Sequence, residues 1–157
     1  MTDPSFAGSP PGAAAGDGPS GPRASFGLRF VAALIDGILL GIVIQVVRAI
    51  LGLEFAASQA LQIAGGLAYY GYLEGSPSGQ TLGKRAMNIR VIDFSTGGAI
   101  GPGRAIIRFV GRYISGIPCL LGYFWMLWDK EKQTWHDKLS NSVVVPTSAY
   151  PVDAWPG

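Results

Sequence analysis

The sequence predicts an all-α membrane protein: an antiparallel transmembrane hairpin, a third apolar helical segment that spans or re-enters, and a small two-stranded cytoplasmic β element. Three observations predict it. Only 14% of the 157 residues are charged, against about 25% in a soluble domain. Two long apolar runs, Phe30–Val47 and Phe55–Leu73, hold a single charge between them, Asp36. Two short β-branched runs, around Ile89–Ile92 and Val143–Val145, lie further along. The same composition excludes several functions. A lone cysteine, Cys119, rules out a disulfide framework. A net charge of +2 without a spread basic surface argues against nucleic acid as a partner. The length leaves no room for separate cofactor and substrate domains, and no cofactor is expected.

Residues 1–25 contain five Gly, five Pro, five Ala and four Ser, with no Leu, Ile or Val. Such a segment buries too little apolar surface to offset chain entropy, so it reads as a disordered tail. The membrane domain follows over 26–146, and 147–157 reads as a flexible C-terminal tail. The first run is 18 residues long, about 27 Å as a helix and close to a bilayer's hydrocarbon thickness. Arg29 and Arg48 flank it. The second is 19 uncharged residues between Glu54 and Glu74, with Tyr69, Tyr70 and Tyr72 near its end, where amphipathic rings favour the headgroup level. The connector Arg48–Glu54 is short, which folds the two runs into a hairpin.

Met87–Asp93 reads as a strand closed by a Thr96-Gly97-Gly98 turn. Gly101-Pro102-Gly103 then punctuates the start of a helix. On that helix Arg104, Arg108 and Arg112 recur at four-residue spacing, a basic face suited to a membrane surface or a partner. Tyr113–Trp128 is 16 uncharged residues interrupted by Pro118, just short of the usual span of about 17–25. If Val143–Val145 pairs with Ile89–Ile92, this stretch returns to the side it left. Six of the 12 basic residues, with one acid, fall between Gly75 and Arg112. The positive-inside rule places that region and the N-terminus in the cytoplasm of a multi-pass plasma-membrane protein, whose first partner is the lipid bilayer.

Asp36 is the residue with most to explain, since a carboxylate within a membrane helix costs about 2.5–3.5 kcal/mol at the helix centre. Arg29 lies two turns earlier, about 10 Å along the axis. It is expected to reach the headgroups, leaving Asp36 to Gln62, Tyr69 or an arginine of the basic helix. Two readings stay open: a proton- or cation-binding carboxylate on a transport path, or a paired Asp that fixes helix packing. Ala33, Gly37 and Gly41 form a small-residue stripe answered by Ala60, Ala64 and Ala68, suited to close packing within the hairpin or between copies. Gly79–Arg85 is not a phosphate loop, because Ser78 replaces the first glycine and Arg85 follows Lys84. Its basic end, Lys84 and Arg85, is placed to touch lipid phosphates. His136-Asp137 holds the sole histidine, too few ligands for a metal site. No nucleophilic constellation stands out, so no enzyme is expected.

Three motifs in order, Arg29 to Asp36, Gly79 to Arg85 with the Ile89–Asp93 strand, and His136-Asp137-Lys138-Leu139-Ser140 before Val143–Val145, together resemble the RDD family of small bacterial membrane proteins. The resemblance covers roughly residues 26–146. Asn141-Ser142 departs from the Gly-Thr often found before the final strand. The resemblance assigns the signature arginine to Arg29 and the two aspartates to Asp36 and Asp137, and draws His136 into the same motif. It implies transport of a ligand it does not specify. On that basis Asp137 is expected to organise the basic helix through Arg108 or Arg112, and Asp36 to hold a proton or cation. One hairpin hardly encloses a path, so transport requires a homo-oligomer or a partner. The alternative is a non-transporting module that recruits a protein or anionic lipid through the basic face.

Overall fold

The structure is a computed structural model and describes residues 21–117 and 120–155. Helix α1 (Phe26–Leu51) begins where the Ser25 hydroxyl accepts from the Leu28 amide, and ends at Gly52. There a left-handed backbone turns the Gly52 N–H onto the Arg48 carbonyl, a glycine C-cap. Helix α2 (Phe55–Gly75) follows after three residues. Short α3 (Leu82–Ala86), capped by Thr81, leads into β1 (Ile89–Asp93). Helix α4 (Gly101–Gly116), with Pro102 in its first turn, precedes α5 (Leu121–Phe124) and a 3-10 turn at Trp125–Leu127. Helix α6 (Trp135–Leu139) and β2 (Ser142–Pro146) complete the order. The architecture is helical with one two-stranded sheet.

Strands β1 and β2 pair antiparallel, with Val91 opposite Val144. Val91, Ile89 and Val144 pack with Ala24, Ala32, Ile100 and Ala105, so one sheet face seats the start of α1 and of α4. The other face holds Ile92, Val143, Val145 and Tyr150. This cap is where the core lies. The long helices carry little of it: Phe30, Leu34, Ile38, Ile42, Val46 and Ile50 of α1 are all exposed.

Among the described helices, α1 alone is by itself long and apolar enough to cross a membrane. The second expected span is a helix of 21 residues, but Ser58, Gln59, Gln62 and its tyrosines make it less apolar than α1. The third apolar stretch is not one straight helix. It breaks between α4 and α5, and the segments Gly101–Gly116 and Leu121–Leu127 are inclined at 112°.

Both tails differ from expectation. Arg23 and Ala24 are docked, Arg23 on Glu131 at 2.6 Å and the Ala24 amide on the Val144 carbonyl at 3.0 Å. Residues 1–20, the bulk of the expected tail, lie outside the described residues. At the other end, Tyr150 is buried, and the Trp155 indole donates to the Gln80 carbonyl at 3.0 Å while Arg85 stacks on its ring. The docking of Arg23, Ala24, Tyr150 and Trp155 follows from the cap, which offers apolar and polar anchors to both segments.

Candidate functional site

Asp36 is buried nearly three turns into α1, where three donors converge on it. Tyr69 Oη donates at 2.7 Å, Thr81 Oγ1 at 2.6 Å and the Gly83 amide at 2.7 Å. The donors are themselves relayed: Tyr69 Oη accepts from the Leu82 amide, and Thr81 Oγ1 from the Lys84 amide. Asp36 thereby ties α1 to α2 and to the first turn of α3. The close approach requires Gly83, since a Cβ there would lie 2.1 Å from the Ala32 carbonyl oxygen. Of the partners the sequence offered Asp36, Tyr69 is the one the structure supplies; Gln62 is exposed.

A second cluster is built entirely of charges. Glu74, at the end of α2, receives Lys84 Nζ at 2.6 Å, Arg108 Nε at 3.0 Å and Arg112 Nη2. Asp137 of α6 receives Arg29 Nη2 at 2.6 Å and Arg108 Nη1. Arg108, only 1% exposed, therefore bridges the two carboxylates. Arg29 also donates to the Lys132 carbonyl at 3.0 Å. It turns inward onto Asp137 rather than outward to headgroups, which corrects the expectation from its flanking position. Asp137 in turn closes a capping box with Thr134, so its carboxylate is held by its own helix before it meets either arginine.

The electrostatics follow from burial. Burial pushes the Asp137 pKa upward, but the Arg29 and Arg108 guanidiniums outweigh it and hold the carboxyl well below the usual range. Burial also holds His136 well below the ordinary histidine value, with the nearby arginines acting the same way and Asp137 opposing. The histidine is satisfied as a neutral ring, Nδ1 3.2 Å from Ser115 Oγ and Nε2 3.0 Å from Thr134 Oγ1.

The basic face of α4 points inward, not outward. Arg108 and Arg112 reach Glu74, Arg104 pairs with Asp93, and Lys84 is buried on Glu74. Arg85 alone of this set is exposed, against Trp155. The apolar face, Ile106, Ile107, Val110 and Ile114, is the exposed one. Helical periodicity identified the two faces correctly and assigned them to the wrong sides. The Ala33-Gly37-Gly41 stripe makes no close approach within the chain: Gly37 and Gly41 have open space where a Cβ would stand. The tight contact of α2 is instead with α4, where Gly66 lies beneath the Phe109 ring.

Between α1, α4 and α5 lies a cavity of about 690 Å³, within the range of small-ligand sites. Its polar wall carries four cations, Arg29, Lys84, Arg108 and Arg112, with Asp36 as its one carboxylate. Glu74 and Asp137 are not part of that wall; they contact the cations from elsewhere. Arg112 stacks on Tyr70 at 4.0 Å, and its Nη1 is buried with no hydrogen-bond partner. Glu74 is the residue that sequence reasoning missed. In the sequence it merely bounds an apolar run, although three basic residues at helical spacing with one nearby acid call for a further counter-charge.

The chain is 38% identical over 92 residues to a proline-rich antigen homolog of Mycobacterium tuberculosis, covering 56% of this chain and 38% of that protein. It is 35% identical over 77 residues to the proline-rich antigen of Mycobacterium leprae, covering 49% of this chain and 30% of that protein. The chain thus spans about a third of these relatives' length. An uncharacterized protein of Bacillus subtilis, YxaI, is 26% identical over 147 residues and is covered over 96% of its length. No solved structure matches. Residues 23–141 match the RDD family, a span that includes Arg29, Asp36, Glu74, Arg108 and Asp137, and the chain belongs to that family.

Proposed function

We propose that the protein is a multi-pass membrane protein that binds an anionic group, phosphate or carboxylate in class, in the cavity between α1 and α4. It serves as the binding element of a small transporter or transporter subunit. The observation that carries this reading is the cavity wall, whose four cations face three carboxylates among the described residues, Glu74 and Asp137 that pair with them and Asp36 in the wall itself, a surplus of one positive charge. Buried charge without a matching counter-charge is costly, and an anion entering the cavity offsets that cost. The site would thus take an anion, whereas the sequence alone pointed to a proton or cation at Asp36. Three donors already converge on Asp36, which neutralise much of its pull on a cation, and its role is to join α1, α2 and α3.

Outward apolar side chains on α1 and α4 support placement in a bilayer. The positive-inside rule puts the N-terminus and the basic segment that begins at residue 75 on the cytoplasmic side, from which α4 enters the bilayer. One chain supplies too few helices to enclose a path, so transport uses a homo-oligomer. The anion reading is tested on protein purified in a neutral non-ionic detergent, with its unfolding midpoint followed by tryptophan fluorescence. Pyrophosphate should raise the midpoint in a saturable way, as a ligand of the folded state does, and Arg112→Gln should remove the effect. A wild-type midpoint that only follows ionic strength, equally in chloride, overturns the reading.

A further inference from the structure

Resting on that anion-binding reading, we propose that the occupant of the cavity is a membrane lipid with an anionic phosphate headgroup, entering sideways from the bilayer. The cavity is chemically two-sided. Its cations gather at Arg29, Lys84, Arg108 and Arg112, and much of the remaining wall is apolar or aromatic. Phe30, Tyr113, Ile117, Leu120 and Phe124 line the cavity and are also exposed on the molecular surface, Phe30 by 58% and Ile117 by 80%. They form an apolar rim that runs into the outward faces of α1 and α4.

A water-borne anion gains nothing from such a rim. An amphiphile gains on both counts: its phosphate meets the surplus positive charge, and its chains lie along side chains that otherwise face outward. Arg112 is the cation of this wall with a donor to spare. Its Nη2 is occupied by Glu74, the face of its guanidinium by Tyr70, and its Nη1 is buried and has no acceptor among the described residues. A phosphate oxygen is an acceptor that this donor meets once the side chain shifts toward the cavity. The cost of leaving a buried donor unpaired is then relieved by the ligand.

The test uses the full chain in a neutral detergent and native mass spectrometry, with three additions compared at equal concentration. These are dioleoyl phosphatidylglycerol, dioleoyl phosphatidylcholine, and glycerol 1-phosphate as the soluble headgroup. Phosphatidylglycerol should be retained over phosphatidylcholine by about tenfold or more, glycerol 1-phosphate should not compete, and Arg112→Gln should abolish the preference. Because Arg112 also holds Glu74, the wild-type comparison stands by itself if that variant fails to fold. Equal retention of the two lipids, or full competition by glycerol 1-phosphate, overturns the lipid assignment. If pyrophosphate still raises the midpoint in that case, the anion site stands with a water-borne ligand; if it does not, both readings fall.

Discussion

At the scale of single residues, the charge cluster has a definite acid response. His136 and Asp137 both have depressed pKa values in the folded protein, the histidine through burial and the aspartate because two guanidiniums outweigh burial. A depressed pKa means the unfolded chain binds the proton first. The stability from each group is therefore complete above its unfolded pKa and is lost as pH falls below it. For the histidine that loss starts near pH ~6.5, and for the aspartate near ~4. The unfolding midpoint should be flat around neutrality and decline from about pH 6.5 as the solution is acidified. His136→Gln should flatten the decline between about pH 6.5 and 4.5 while leaving the acid limb; an unchanged profile in that variant would show that His136 is not the group responsible. Asp36 and Asp137 were legible in the sequence, one as a charge in an apolar run and the other through its motif. Glu74 was not, because a glutamate at the end of a helix is ordinary until three cations are found around it.

At the scale of elements, the join between α1 and α3 depends on the absence of a side chain. Gly83 sits with its amide on Asp36, and a Cβ would fall 2.1 Å from the Ala32 carbonyl oxygen and 2.9 Å from Asp36 Cγ. Both obstacles are held in place, one as helix backbone and the other by three hydrogen bonds, so neither yields cheaply. Gly83→Ala should lower stability by about 1–3 kcal/mol, measured as the denaturant midpoint in detergent, with Asp36→Asn giving little additional loss in the double variant. Additive losses would sink the idea that the glycine serves the carboxylate. Helices α1, α2 and α4 and both strands were readable from run length and β-branched content. The inward turn of α4's arginines was not, since periodicity defines two faces without saying which side is water and which is lipid. The break between α4 and α5 was readable only as Pro118 within a run too short to span.

At the scale of the whole molecule, the sheet constrains the path of the chain. Strand β1 ends at Asp93 and β2 begins at Ser142, and these residues are partners in register. Residues 94–141 therefore leave from and return to one place, and the 112° inclination between Gly101–Gly116 and Leu121–Leu127 is the geometry of such a return. In a bilayer the stretch would dip in and come back, leaving both strands of the cap on one side of the membrane. Single cysteines in a Cys119→Ser background test this through a membrane-impermeant maleimide applied to intact cells. Glu54→Cys, Thr96→Cys and Ser148→Cys all fall at exposed positions, so reactivity should report the side of the membrane rather than burial. With the proposed orientation, Glu54→Cys should label at once, while Thr96→Cys and Ser148→Cys should label only after permeabilisation. Labelling of Ser148→Cys in intact cells with Thr96→Cys protected would place the two strands on opposite sides. The sheet, the Arg108 bridge and the cavity built on them would then not exist together in the membrane.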